Sequence, residues 1–429
     1  MSAVERKIIK LLVENPLISN AEIVRRLRIS PNLVRRVIDS LMISNRQNVQ
    51  ENTEVSKQER VFQPFLFTVL DPSKLGFTAV SFMVEVRTMT QEKAVIFFCD
   101  HHPFTTHRLR VFGGNFQGLF VRFKGPERCI SNLAFSFQRL QEENLITSYR
   151  HILHDEKLFV HTGPDISAFD LGTNTWNFSL DQFDESLNSE RGENTRRQSR
   201  PRQQQEPLLE EWDPLDLMLL REWADGLGLR KSNNQVLRDL LSDSSRLYHD
   251  YKTCDGSCPD LSCRNLHLDR YVIAQRKEFL LSSGIIVGCE VVFVQQKLGT
   301  FNQILFEGEA GSDLLNHLTT ALTNRQFPFT SVLAMASPTD PSTPSPVRFF
   351  WWMKCPPNHM NALVQWMMKR SANVQVFLPS TRPEDYRLNI NYHHSLLTQL
   401  LKIKNDSKGE DDDFLTQPLQ TTLKRFCPN

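Results

Sequence analysis

Apolar residues recur at helical spacing from residue 4 to 14, where Ile8, Ile9, Leu11 and Leu12 form one stripe. The Asn15-Pro16 pair ends that stripe. Ser19 followed by Glu22 reads as a capping box opening a second helix through about Arg26. Ser30 caps a third helix, and Pro31 takes its first position, where a missing N–H costs nothing. Three short helices with a tight turn between the second and third describe a helix-turn-helix. The polar run 45–59 and the apolar run after it read as a long wing.

From residue 76 to 154 the spacing alternates between periods of two and 3.6 in the order β-α-β-β-α-β, the ferredoxin-like pattern. The segment 185–206 holds one aliphatic residue, Leu187, and cannot bury enough apolar surface to order itself. The rhythm then restarts. Helices are predicted over PLDLMLLREWADGLG, over NNQVLRDLL capped by Ser232, and over LDRYVIAQRKEFLLSSG, followed by the strand IIVGCEVVFV. A second β-α-β-β-α-β series ends near Pro379. In its strand FFWWM, alternation puts Phe349, Trp351 and Met353 on one face and Phe350 and Trp352 on the other.

The chain is therefore read as α+β, one two-domain unit used twice. A winged helix-turn-helix spans 1–69 and a ferredoxin-like domain 70–165; a flexible linker follows over 166–211. A second winged helix covers 212–298, a second ferredoxin-like domain 299–390, and a frayed tail 391–429.

Net charge is +1, so attraction to nucleic acid must be local. It is concentrated at the start, where residues 1–46 hold nine Lys/Arg against four Asp/Glu. Asn32, Arg35 and Arg36 lie on the third helix, where Asn can read adenine and Arg guanine in the major groove. Arg25, Arg26 and Arg28 cluster at the turn, within reach of phosphates. The alternative for these side chains is a solvated basic face on a protein-binding winged helix. In the second unit the corresponding helix offers Arg270, Gln275, Arg276 and Lys277, either for DNA or for scaffold packing. No apolar run approaches the roughly 18 residues of a membrane span, and the charged N-terminus is no secretory signal, so a cytoplasmic, nucleoid-associated protein is expected.

The stretch ERKIIKLLVENPLISNAEIVRRLRISPNLVRRVIDSL resembles the reader head of the Lrp/AsnC (feast/famine) transcription regulators. LDPSKLGF, at 70–77, resembles that family's link into its ligand-sensing domain, and HPFTTHRLRVFGGNFQGLFVRF its central hairpin. The resemblance covers residues 4–155 closely and 212–380 by pattern. It implies double-stranded DNA as partner, self-pairing as a dimer or an internal pseudo-dimer, and a small-molecule effector. One departure is plain: Gly114 is followed by Asn115, Phe116 and Gln117, without the acidic residue of the family hairpin.

Cys254, Cys258, Cys263 and His267 give C-x3-C-x4-C-x3-H, four soft ligands that suit a structural tetrahedral zinc clipping two helices together. The alternative is a metal-free Cys-rich loop. No nucleophile paired with a base, carboxylate pair or phosphate-cradling loop stands out, so no enzyme is expected. One enzyme class, the sirohaem decarboxylases, is similar in architecture. It would need a cavity lined by basic and imidazole groups, for which His107, Arg108 and Arg110 are the candidates.

Overall fold

The computed structural model describes residues 3–15, 18–38, 65–71, 73–154, 160–170, 173, 175–189, 214–223, 231–242, 270–292, 302–336, 346–371, 373–380, 386–388 and 413–427. Helices α1 (Ala3–Glu14), α2 (Asn20–Leu27) and α3 (31–38) form the first head. Ile8, Leu12, Ile18, Ile23, Val34, Val37 and Ile38 close its core. The second head is α7 (Pro214–Trp223), α8 (Asn233–Ser242) and α9 (Arg270–Ser282). Its core holds Leu219, Trp223, Leu240, Ile273 and Leu280.

Each head leads into a strand: β1 (Phe65–Leu70) after the first, β9 (Ile286–Val292) after the second. These equivalent strands pair with each other, antiparallel, from Phe65 against Val292 to Leu70 against Ile286.

The first β-α-β-β-α-β unit runs β2 (Phe77–Glu85), α4 (Met89–His101), β3 (Thr105–Gly113), β4 (Phe116–Pro126), α5 (Glu127–Glu142), β5 (Ser148–Leu153). The second runs β10 (Asn302–Ala310), α10 (Ser312–Thr323), β11 (Ser331–Met335), β12 (Val347–Cys355), α11 (Pro357–Arg370), β13 (Asn373–Pro379). Both have the same strand order, and the two join in one sheet, β5-β2-β4-β3-β13-β10-β12-β11, extended by β6 (Val160–Thr162). His154, just past β5, bridges Ala336, just past β11, so the ends of the sheet meet and it curls closed.

The two seams of this barrel are built alike. At the first, β13 meets β3 at Leu378–Phe112 and Pro379–Val111, and β14 (Tyr386–Leu388) continues along β3 from Leu109 to His107. At the second, the residue after β5 bridges the residue after β11, and β6 continues along β11. An approximate two-fold axis therefore relates the halves of one chain, and the expected pairing of the ferredoxin-like domains occurs within the chain. Close approach at the first seam requires Gly113, where a Cβ would come within 2.3 Å of the Val376 carbonyl oxygen.

Period-two alternation decides which side chains enter the barrel. Leu109, Val111, Phe120, Leu305, Phe350, Trp352 and Phe377 fill the inside. Phe349, Trp351 and Met353 face the outer helix layer of the second unit.

Two expectations are corrected. The segment read as a flexible linker carries α6 (Leu180–Ser189), preceded by the short strands β7 (Phe169–Asp170) and β8 (Thr175–Trp176). Phe183 and Leu187 of α6 are buried against the second unit, and Asp184 accepts a hydrogen bond from Trp366 Nε1 and pairs with Arg370. The segment read as a frayed tail carries α12 (Asp413–Phe426), whose Leu419 is buried in the core of the first unit. Each half thus sends its last helix across to cover the other half's helix layer. Both helices repeat apolar residues at helical spacing, Leu180, Phe183 and Leu187 in α6 and Leu415, Leu419 and Leu423 in α12, but the polar residues around them masked the pattern.

Candidate nucleic-acid interface

In the first head the sequence fixes the caps and the caps fix the turn. Ser19 Oγ accepts from the Glu22 backbone N–H at 3.1 Å, and Ser30 Oγ from that of Leu33 at 3.2 Å. Between them Arg28 closes α2 in the left-handed region, at φ 52°. The buried positions Val34, Val37 and Ile38 orient α3 so that Asn32, Arg35 and Arg36 are exposed on its outer side. Asn32 and Arg35, one turn apart in the sequence, are both exposed on this helix, and so is Arg36.

Arg25 and Arg26 are also exposed, but both engage Glu22. Arg25 Nε and Nη2 donate to its carboxylate at 2.8 and 2.7 Å, and Arg26 Nε at 2.7 Å. The hydrogen bonds from Arg25, then those from Arg26, hold the Glu22 carboxyl down to about 2. Exposed pairs of this kind contribute little to stability, so exchanging the carboxylate for a phosphate is cheap.

The second head uses its cations differently. Arg276 Nε and Nη2 donate to the fully buried Asp216 at 2.8 and 2.5 Å, tying α9 to α7. Lys277 Nζ sits 5.8 Å from the Trp223 ring. Both belong to the internal packing of the head. Arg270 and Gln275 are exposed, together with Tyr271, whose hydroxyl accepts from Arg270 Nη2 at 2.6 Å. The zinc candidates Cys254, Cys258, Cys263 and His267 lie outside the described residues.

The barrel encloses a cavity of about 20 Å³ lined by Ser81, His107, Arg122, His154, Phe120 and Trp352, among others. Burial, with Arg122 and Lys124 nearby, drives the His154 imidazole well below its ordinary range. Of the cavity candidates read from the sequence, only His107 points inward. Arg108 and Arg110 point outward, to Asp100 and Glu92 of α4 at 3.1 and 2.8 Å. Strict alternation along β3 separates them, and that signal was present in the sequence. Arg122 and His154 were missed, because they reach the cavity from β4 and from beyond the end of β5. At the barrel rim Arg150 donates to Glu307 of the other half at 2.5–2.8 Å and to Gln375 at 3.0 Å. A polar pocket of about 270 Å³ adjoins this clamp, lined also by Glu309, Arg348 and Asn373.

Comparison with known proteins matches residues 1–42 to the family "Winged helix-turn-helix DNA-binding". No curated protein matches the chain. Among solved structures, the siroheme decarboxylase NirDL is 13% identical over 95% of this chain and 100% of its own, with a TM-score of 0.49. An AsnC family transcriptional regulator from Agrobacterium tumefaciens is 15% identical over 36% of this chain and 89% of its own, at a TM-score of 0.25. A transcriptional regulator from Neisseria meningitidis, solved with L-Met, is 15% identical over 36% of this chain and 88% of its own, at 0.23. The expectation that the chain is no enzyme is withdrawn, since two siroheme decarboxylase structures align with 95% and 94% of it.

Proposed function

We propose that this chain is a DNA-binding transcription regulator of the Lrp/AsnC type that reads the duplex through its first head. The observation that carries the reading is the outer face of α3. Asn32, Arg35 and Arg36 stand exposed on a helix whose opposite face is locked into the core, within a segment that matches a DNA-binding family. In this arrangement α3 enters the major groove, Asn32 and Arg35 meet base edges, and Arg36 with Arg25, Arg26 and Arg28 engages phosphates. The pocket beside the Arg150–Glu307 clamp is where a small polar effector would act, because it touches both halves of the barrel. Selection of bound fragments from a library of the source genome tests the function. Recovery of a recurring sequence, bound in a salt-sensitive manner, is expected. Recovery of unrelated fragments, or of none, contradicts it.

A second reading is favoured by one observation, the convergence of His107, Arg122, His154 and Ser81 on the barrel cavity. Such a lining suits an anionic carboxylate group, as a siroheme-decarboxylase-like enzyme requires. The cavity volume of about 20 Å³ admits one water and no macrocycle, so this reading requires the barrel to widen. Gel filtration of the chain with iron-uroporphyrin distinguishes the two. Co-elution of the pigment supports the enzyme, and separation supports the regulator.

A further inference from the structure

The strands that leave the two heads are related by a local two-fold of their own. Strands β1 and β9 are equivalent in the two halves, each follows its head, and they pair antiparallel with one another. One chain therefore presents two heads about one axis, as a symmetric dimer does to duplex DNA. In a true dimer the two reading helices are identical and the site is a palindrome. Here they are not. The outer face of α3 carries Asn32, Arg35 and Arg36. The outer face of α9 carries Arg270, Tyr271 and Gln275, with Glu278 beside them.

The second face is polar and solvent-facing, and its chemistry matches base edges. Gln can take adenine N6 and N7 as Asn does, and Arg can take guanine O6 and N7. Arg270 and Tyr271 form an ordered pair, with the guanidinium 4.7 Å from the ring centroid. The remaining cations of α9 are held inside the head by Asp216 and Trp223, which fixes the helix without using the outer face.

We infer that both heads engage one duplex and that the chain reads a directional site of two unlike half-sites, the first specified by Asn32 and Arg35 and the second by Arg270 and Gln275. This rests on the DNA-reading function proposed above. The two half-sites lie one helical turn, or a multiple of it, apart. The second contributes less to the salt dependence, because its face carries one arginine where the first carries two.

The test is selection from random duplexes with the full chain, followed by footprinting. Three proteins are compared: the unaltered chain, an Arg270→Ala/Gln275→Ala variant and a Gln275→Glu variant. Both positions are exposed, and circular dichroism checks that each variant folds. The expected result is two different boxes in fixed order. The double variant should lose sequence preference and protection in one box only, with binding weakened about tenfold. Gln275→Glu should change the preferred base in that box while leaving the other intact. Two inverted copies of one box overturn the inference. A single box indifferent to both variants also overturns it, leaving the Arg270–Tyr271 face as a protein contact, while the regulator reading stands. No sequence preference in the unaltered chain overturns both.

Discussion

Individual side chains show how one type of residue serves two purposes in the two heads. Arg276 is held by an Asp216 with no exposure, so truncating it leaves a buried carboxylate without its cation. Arg276→Ala should cost about 3 kcal/mol, the usual penalty for breaking a buried pair, read by urea denaturation. Arg35→Ala, at an exposed position, should change stability by less than about 0.5 kcal/mol in the same assay. Acid sensitivity also arises at this scale. Burial lowers His102 to about 3 and His154 well below its ordinary value, so both are neutral in the folded chain. The unfolded chain takes up these protons near pH 6.5, and from there down to about 3 it binds more protons than the folded state. Stability should therefore be level just above pH 7 and fall as pH drops through that window. Glu22 acts in the same direction at lower pH, its contribution present above about 4.5 and lost as pH falls towards 2. Urea midpoints at pH 7.5 and 5 check the sign, and an unchanged midpoint would contradict it.

At the scale of elements, much was legible because local signals and burial agree. Ser19, Ser30 and Ser232 cap the helices that the hydrophobic spacing predicts, and FFWWM alternates as a strand with both faces covered must. The helical spacing of α6 and α12 is present in the sequence, but their crossing to the other half was illegible, since the surface that receives each is built from residues far away in the chain. Phe183 and Leu419 are what that surface holds. Phe183→Ala should cost about 3 kcal/mol and free Trp366, shifting its fluorescence to the red; an unshifted spectrum would contradict the packing. The Cys254, Cys258, Cys263 and His267 set belongs here too. We propose that it binds one structural zinc joining α8 to α9, so a strong chelator should release about one zinc per chain and lower the melting temperature. Purified chain free of zinc, with an unchanged melt, would dismiss it.

For the whole molecule, the duplication was readable from two β-α-β-β-α-β rhythms, but the closure of both into one barrel was not. Closure depends on contacts between residues such as His154 and Ala336, far apart in sequence and short of any local signal. The same holds for the cavity, where alternation alone excludes Arg108 and Arg110 but cannot bring His107, Arg122 and His154 together. The closed barrel joins two unequal heads in one frame, and the proposed function requires the first of them to touch DNA. The most direct measurement is fluorescence anisotropy on a selected duplex over a salt series, for the unaltered chain and for an Arg35→Ala/Arg36→Ala variant. If the first head reads DNA, affinity falls steeply with salt, and the variant loses about a hundredfold with a shallower slope. Equal affinities and equal slopes for the two proteins would contradict it.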